Sequence, residues 1–173
     1  MDTIRRHVVV ESPIGPLTLV ADGAALSCIY MTDHRHMPDP GRFGPEVDPP
    51  VDDVLSRAAD QLAEYFAGER QEFDVPLDEA AGTEFQRKVW AELREIPYGE
   101  TISYAELAQR IGQPTAFRAV GLANGRNPIS IIVPCHRVVG SGGSLTGYGG
   151  GTDRKQLLLD LEAKTAGTEV SLF

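Results

Sequence analysis

Three side chains in this 173-residue sequence have the types from which an activated thiol is built: Cys135, its neighbour His136, and Glu162. A cysteine attacks carbon only as the thiolate, and an imidazole held by a carboxylate can form one near neutral pH. The same residues also have a bland reading, because a cysteine after an apolar run is commonly a small buried hydrophobe. Pro134-Cys135-His136-Arg137-Val138 follows Ile129, Ile131, Ile132 and Val133, whose β-branched composition predicts an interior strand. Pro134 cannot donate to a ladder, so pairing should stop there. Neighbours on a regular strand face opposite ways, so Cys135 and His136 share a site only if the backbone turns at that point. The segment that follows carries glycines at 140, 142, 143, 147, 149, 150 and 151 without a phosphate-loop lysine. It predicts a rim of bare backbone against a planar ligand, with Tyr148 its one large side chain.

Several elements must position these residues. His7 to Glu11, Leu17 to Ala21 and Leu26 to Met31 read as strands of an antiparallel meander, broken by Ser12-Pro13-Ile14-Gly15-Pro16 and by Asp22-Gly23. Residues 32–50 read as a long surface loop. Its His34 and His36 lack a third ligand nearby, so a solvated loop is expected rather than a metal site. Val51, Leu55, Ala58, Leu62, Tyr65 and Phe66 share a helical face ended by Gly68, and Phe73, Val75 and Leu77 alternate as a further strand. Residues 1–78 thus form a βββαβ support domain with no catalytic constellation of its own. The linker Asp78-Glu79-Ala80-Ala81-Gly82 leads into a second domain, residues 79–173.

That second domain opens on Thr83-Glu84-Phe85-Gln86, a capping box, and a helix expected to reach about Ile96. A helix from Ser103-Tyr104 to Gly112 and another from Thr115 to Ala123, joined through Gln113-Pro114, make a helix-turn-helix. On the second, Ala116, Ala119, Gly121 and Ala123 keep one side slim, while Arg118 and Arg126 supply charge. Small residues serve tight helix packing equally well, and Arg118 has a solvated reading too. A last helix from Thr152-Asp153 is expected to bury Leu157, Leu158 and Leu161 beside Glu162, and Thr168 to Phe173 form a tail.

The formal net charge of −9 is unevenly distributed. Residues 1–80 hold 6 Lys/Arg against 16 Asp/Glu, and residues 81–173 hold 10 against 9. A polyanion would approach the second half, through local basic patches only. The two cysteines form neither a disulfide pattern nor a zinc-ligand pattern. There is no long apolar segment at the start or elsewhere, so a cytoplasmic protein is expected.

The motif Pro134-Cys135-His136-Arg137-Val138, preceded by Asn127-Pro128, resembles the signature of the O6-alkylguanine-DNA alkyltransferases. The resemblance extends through Ile96-Pro97-Tyr98-Gly99-Glu100-Thr101, Ser103-Tyr104, Arg118-Ala119-Val120-Gly121, and Gly147-Tyr148-Gly149-Gly150 to Leu157-Leu158 and Glu162. It is dense over residues 83–163; the βββαβ region matches mainly in layout and in Ser12-Pro13-Ile14-Gly15. The resemblance implies an α/β, ribonuclease-H-like first domain and a mainly α, winged-helix type second domain. It implies that Cys135 takes the alkyl group in an in-line displacement, with His136, through a water, and Glu162 forming the thiolate. Asn127 ties the turn around the site, and Tyr104 polarises the departing guanine at N3. Backbone at Cys135, Val138, Tyr148 and Gly149 holds the base edge. The partner implied is double-stranded DNA containing O6-alkylguanine, entered from the minor groove by Ala116, Phe117, Arg118, Ala119 and Gly121. Arg118 fills the gap left by the rotated base, and side-by-side self-association along a duplex is a further expectation.

The thioether product cannot be resolved by a second thiol, so each molecule acts once, and the displacement needs no metal or organic cofactor. Some members carry zinc in the first domain, but these residues offer no ligand set for it. Phe117 stands where many relatives have a small residue; it is expected to anchor the helix in the core, the alternative being an apolar wedge against the flanking base. Two rival chemistries use the same parts. A Cys-His hydrolase would need an open cleft and an oxyanion hole. A lesion-binding, non-catalytic relative would lack the reactive cysteine, so Cys135 argues against that reading.

Overall fold

The computed structural model describes residues 5–34, 38–145, 148 and 150–166. The amino-terminal part is a small antiparallel sheet of β1 (Arg5–Val10), β2 (Leu17–Asp22) and β3 (Ala25–Met31), in that order, with a bulge at Val20/Ala21. Leu17, Leu19, Leu26, Ile29 and Met31 enter the main core, against which α1 (Val54–Phe66) packs Leu55, Ala58, Leu62 and Tyr65. Alternation along the strands leaves Val20, Cys28 and Tyr30 on the opposite face. There Phe43, from a short 3-10 turn at Pro40–Phe43, covers them.

Part of the segment expected to be a surface loop is therefore a lid. A three-stranded sheet with apolar side chains on both faces needs a second cover, and Phe43, stacked on Tyr30 at 5.7 Å, supplies it. His34 departs from its expected solvated position too: it is buried, and its Nδ1 accepts the Met31 backbone N–H at 3.2 Å. His36 lies outside the described residues, as does the tail from Thr168. Among the described residues no group of three His, Cys, Asp or Glu is placed to hold a metal, and no helix is long and apolar enough to cross a membrane.

The helix α1 starts later than its apolar pattern suggests. Asp53 caps it by accepting the Leu55 N–H at 3.0 Å, which leaves Val51 outside the helix and 94% exposed. Residues 73–77 run beside β3 but make a single parallel bridge, Leu26 to Leu77, rather than a full strand.

The carboxy-terminal part is helical. Its first helix, α2 (Glu84–Leu93), has the expected reciprocal cap: Gln86 N–H donates to Thr83 Oγ1 at 3.1 Å, and Thr83 N–H to Gln86 Oε1 at 3.0 Å. It ends at Leu93, short of Ile96, in turns that lead to Pro97. The pair α3 (Tyr104–Arg110) and α4 (Phe117–Gly125) forms the helix-turn-helix, and Trp90 Nε1 of α2 donates to Ala123 O of α4 at 2.8 Å. Two-residue strands, β4 (Ile102–Ser103) and β5 (Val138–Val139), pair in parallel and tie the start of α3 to the segment just after Cys135.

The final helix, α5 (Thr152–Thr165), buries Lys155, Leu158 and Glu162, one residue from each of successive turns. Leu157, expected inside, is 52% exposed. The inward stripe of α5 is mostly ionisable because it faces the reactive segment rather than an apolar neighbour.

Removing the α2 cap tests how local that signal is. Thr83→Ala should lower unfolding free energy by about 1 kcal/mol, read by urea denaturation, while the reactivity of Cys135 per folded molecule stays at the wild-type value.

Candidate active site

The segment that delivers Cys135 is not a strand. Ile129 makes one bridge, to Ile29 of β3, and the chain then folds into consecutive turns: Ile132 N–H to Ser130 O at 2.9 Å, Val133 N–H to Ile129 O at 3.0 Å, and Cys135 N–H to Val133 O at 2.8 Å. Ile131 adopts φ of 74°, a left-handed conformation unusual for a β-branched residue. Its apolar composition reflects burial, since residues 129–133 are all buried, and not pairing. Asn127 takes the place of a neighbouring strand. Its Nδ2 donates to Val133 O at 2.7 Å and its Oδ1 accepts Ile129 N–H at 3.0 Å.

Cys135, His136 and Arg137 then form one 3-10 turn. Such a turn rotates successive side chains by roughly 120°, so these neighbours fan out where strand neighbours would oppose. His136 and Arg137 both reach Glu162 of α5. His136 Nε2 lies 2.6 Å from Glu162 Oε2; Arg137 donates through Nε to Oε1 at 2.8 Å and through Nη2 to Oε2 at 3.0 Å. Gly99 N–H adds a bond to Oε1 at 3.3 Å, and Tyr65 Oη of α1 donates to Oε2 at 2.7 Å.

These contacts fix protonation. Burial alone would raise the Glu162 carboxyl, but His136, charged in the acid range where this carboxyl titrates and hydrogen-bonded to it, and then Arg137, outweigh burial and hold the group well below the ordinary carboxylate range. Burial lowers His136, against the pull of Glu162, so its resting form is the neutral ring. With an ionised carboxylate at Nε2, that nitrogen carries the proton, which makes Nδ1 an acceptor. Nδ1 is buried and has no hydrogen-bond partner among the described residues.

Cys135 is 3% exposed. Burial pushes its thiol up to about 11, opposed by hydrogen bonding to Asn127 and by the charge of Lys155. Lys155, fully buried, donates Nζ to Val138 O and lies 5.9 Å from the centroid of the Tyr104 ring; burial brings it down to about 8, with Cys135 opposing. Asn124 Nδ2 donates to Cys135 O at 3.3 Å. On the other side Tyr148 is 2% exposed, its hydroxyl 3.9 Å from Met31 Sδ. Next to it, a Cβ at Gly150 would collide with Met31 Sδ and stand 2.8 Å from the Tyr148 ring. Any larger residue there would have to displace both side chains.

The structure therefore gathers Cys135, His136, Glu162, Asn127 and Tyr148 in one buried region, with Val138 adjoining it and Tyr104 reaching it from the start of α3. Gly147 and Gly149 lie outside the described residues. On α4, Phe117, Arg118 and Ala119 are exposed, and Ala116 and Gly121 are half-buried. Phe117 at 50% exposure is not the core anchor expected of it; Val120, Ala123 and Asn124 fill that role. Leu122, 73% exposed on the same helix, carried no sequence signal beyond its apolar type. Lys155, Asn124 and Tyr65 were also missed. A lone lysine and a lone asparagine in helical stretches carry no signal of their own, and Tyr65 stood as one more apolar position on α1. The first part of the chain, read as support alone, contributes a hydroxyl to the site.

Fold and site together define a helix-turn-helix protein in which a buried thiol, imidazole and carboxylate stand directly behind the paired helices. Residues 84–164 match the family model described as 6-O-methylguanine DNA methyltransferase, DNA binding domain, and residues 5–79 the one described as its ribonuclease-like domain. The chain is 54% identical over 164 residues to a methylated-DNA–protein-cysteine methyltransferase of Mycobacterium tuberculosis, spanning 95% of this chain and 96% of the relative. It is 49% identical over 157 residues to the one of Methanosarcina acetivorans, spanning 90% and 97%. Among solved structures, M. tuberculosis OGT in complex with DNA superimposes with a TM-score of 0.79 at 53% identity, covering 92% of this chain and 94% of that one. The chain belongs to the 6-O-methylguanine DNA methyltransferase family.

Glu162→Gln isolates the carboxylate. It leaves the Arg137 charge buried without its counter-ion, so unfolding free energy should fall by about 3 kcal/mol near neutral pH. The folded carboxyl titrates below its ordinary value of 4.5, so its stabilisation is complete above that value and is lost as pH falls toward the folded one. Urea denaturation from about pH 7 to about pH 3 should show the gap between the two proteins constant at first and shrinking with acid.

Proposed function

We propose that this chain repairs O6-alkylguanine in double-stranded DNA by moving the alkyl group irreversibly to Cys135. What carries the reading is the buried contact between His136 Nε2 and Glu162, which leaves a buried acceptor nitrogen on the chain neighbour of a thiol otherwise held protonated. One water between Nδ1 and Sγ passes the thiol proton to His136, and Glu162 stabilises the imidazolium that results. Lys155 favours the thiolate through space. The sulfur then attacks the alkyl carbon in line with the C–O6 bond; that bond's electrons return to the purine, which takes up a proton. Tyr104 polarises N3 of the departing guanine, and backbone at Val138, Tyr148 and Gly149 holds the base edge. The Val138 carbonyl already accepts Lys155 and keeps a second lone pair for this.

A buried thiol cannot reach a base inside stacked DNA, so the nucleotide rotates out, at a cost of a few kcal/mol. The helix α4 enters the minor groove, where Ala116, Ala119 and Gly121 allow close approach and readout of sequence is poor. Arg118 fills the gap in the duplex. The exposure of Phe117 favours an apolar wedge on the flanking base. The division of labour falls at residues 78/79, the site of action is the cytoplasm, and molecules can bind side by side along a duplex. A Cys-His hydrolase is disfavoured because Cys135 is buried, where such an enzyme needs an open cleft.

Intact-mass measurement after mixing with duplex DNA bearing O6-methylguanine should show a gain of one CH2 unit per protein, localised to Cys135, with the guanine restored. Loss of the lesion's methyl without transfer to protein would refute the reading. Phe117→Ala should weaken binding to that duplex severalfold, by about 1 kcal/mol, in a fluorescence-anisotropy titration, while leaving the melting temperature in place. A variant that loses only thermal stability would return Phe117 to a packing role.

A further inference from the structure

The Glu162 carboxylate receives a hydrogen bond from outside the family's DNA-binding match. Tyr65 is the penultimate residue of α1, within the ribonuclease-like match, and is fully buried. Its hydroxyl donates at 2.7 Å to Oε2, the same oxygen that His136 Nε2 meets at 2.6 Å. The ring is held by Phe66, Phe73 and Tyr98, with centroids 5.2, 5.6 and 6.2 Å away. That aromatic packing would be satisfied by phenylalanine. A buried phenol, by contrast, needs a partner, and this one is spent on the oxygen that orients the imidazole.

We infer that Tyr65 is a positioning residue of the alkyl transfer: its hydroxyl shares Glu162 Oε2 with His136 and thereby sets how firmly His136 holds the proton taken from Cys135. A carboxylate oxygen that accepts an extra neutral donor has its charge partly neutralised there, and pulls less on the imidazole. Burial, and then the nearby carboxylate, keep the phenol well above its usual range, so it stays a donor throughout. The other groups facing the carboxylate and the imidazole are Arg137 on the 3-10 turn, the Gly99 N–H, Tyr98, and Lys155 of α5; of the side chains bonded to Oε2, Tyr65 is the one that stays uncharged while His136 takes up the proton. The amino-terminal part, which carries no nucleophile or base of its own at this site, in this way adjusts the acidity of a thiol in the other part.

The inference rests on the role proposed for His136 and Glu162, and its test separates the two. Tyr65→Phe keeps the ring and removes only the oxygen. In wild type and variant, the rate of methyl transfer from O6-methylguanine duplex to Cys135 is followed against pH by quenched intact-mass analysis. The His136 ring is titrated separately by nitrogen NMR on DNA-free protein. The variant should show its His136 titration and the acidic limb of its rate profile both moved up, since His136 must be neutral to take the thiol proton, each by about half a pH unit, with duplex affinity unchanged. Phe73→Leu, which loosens the same aromatic packing without touching Glu162, should lower the melting temperature and move neither titration. Unmoved midpoints in Tyr65→Phe, or equal movement in Phe73→Leu, would overturn the inference. A wild type that transfers no methyl at any pH would instead sink the function proposed above, while the His136 titration still decides whether Tyr65 tunes the ring.

Discussion

One buried carboxylate organises the molecule. Glu162 accepts from a tyrosine of α1, a backbone N–H in the turn after α2, and an imidazole and a forked guanidinium from the 3-10 turn, while sitting itself on α5. An ion buried this deeply is tolerated only when nearly all its lone pairs are satisfied, so segments far apart in sequence are obliged to converge. The same convergence decides the chemistry. With Oε2 bonded to Nε2, the imidazole has one tautomer, and its remaining nitrogen is a buried acceptor on the same turn as the thiol.

Adjacent residues act together here because the chain turns where composition suggested extension. The isoleucine-rich approach to Cys135 has the look of a strand, yet Pro128 and Pro134 bracket it and the Asn127 amide binds its backbone groups from within. β-branched residues reported burial correctly and pairing wrongly. The left-handed Ile131 shows how far tertiary constraint overrides local preference at this point, and a departure of this kind is characteristic of functional segments.

The legible parts of the sequence were those governed by local rules. Period-two alternation placed β1, β2 and β3 to within two residues, and the Thr83/Gln86 box gave the start of α2 correctly. The Cys-His pair with its distant glutamate stood out by residue type, and its motif carried a family resemblance. What stayed hidden depended on three-dimensional partnership. Phe43 looked like part of a polar loop because the face it covers is defined only once the sheet has formed. Leu157 left its expected buried place and Lys155 lies inside because α5 faces a reactive polar segment, which no helical period reveals. Tyr65 is indistinguishable from a packing aromatic until the oxygen it meets is known.

Enclosure of the sulfur also bears on how long an unused molecule lasts. Oxidants and small electrophiles consume cysteines in proportion to thiolate character and access, and Cys135 at rest is short of both. A reagent that can be spent only once gains most from such shelter, since every premature reaction removes a whole protein from the pool held in reserve. Packing around Tyr148 and Gly150 thus works as a seal on stored capacity, broken by the arrival of damage rather than by time.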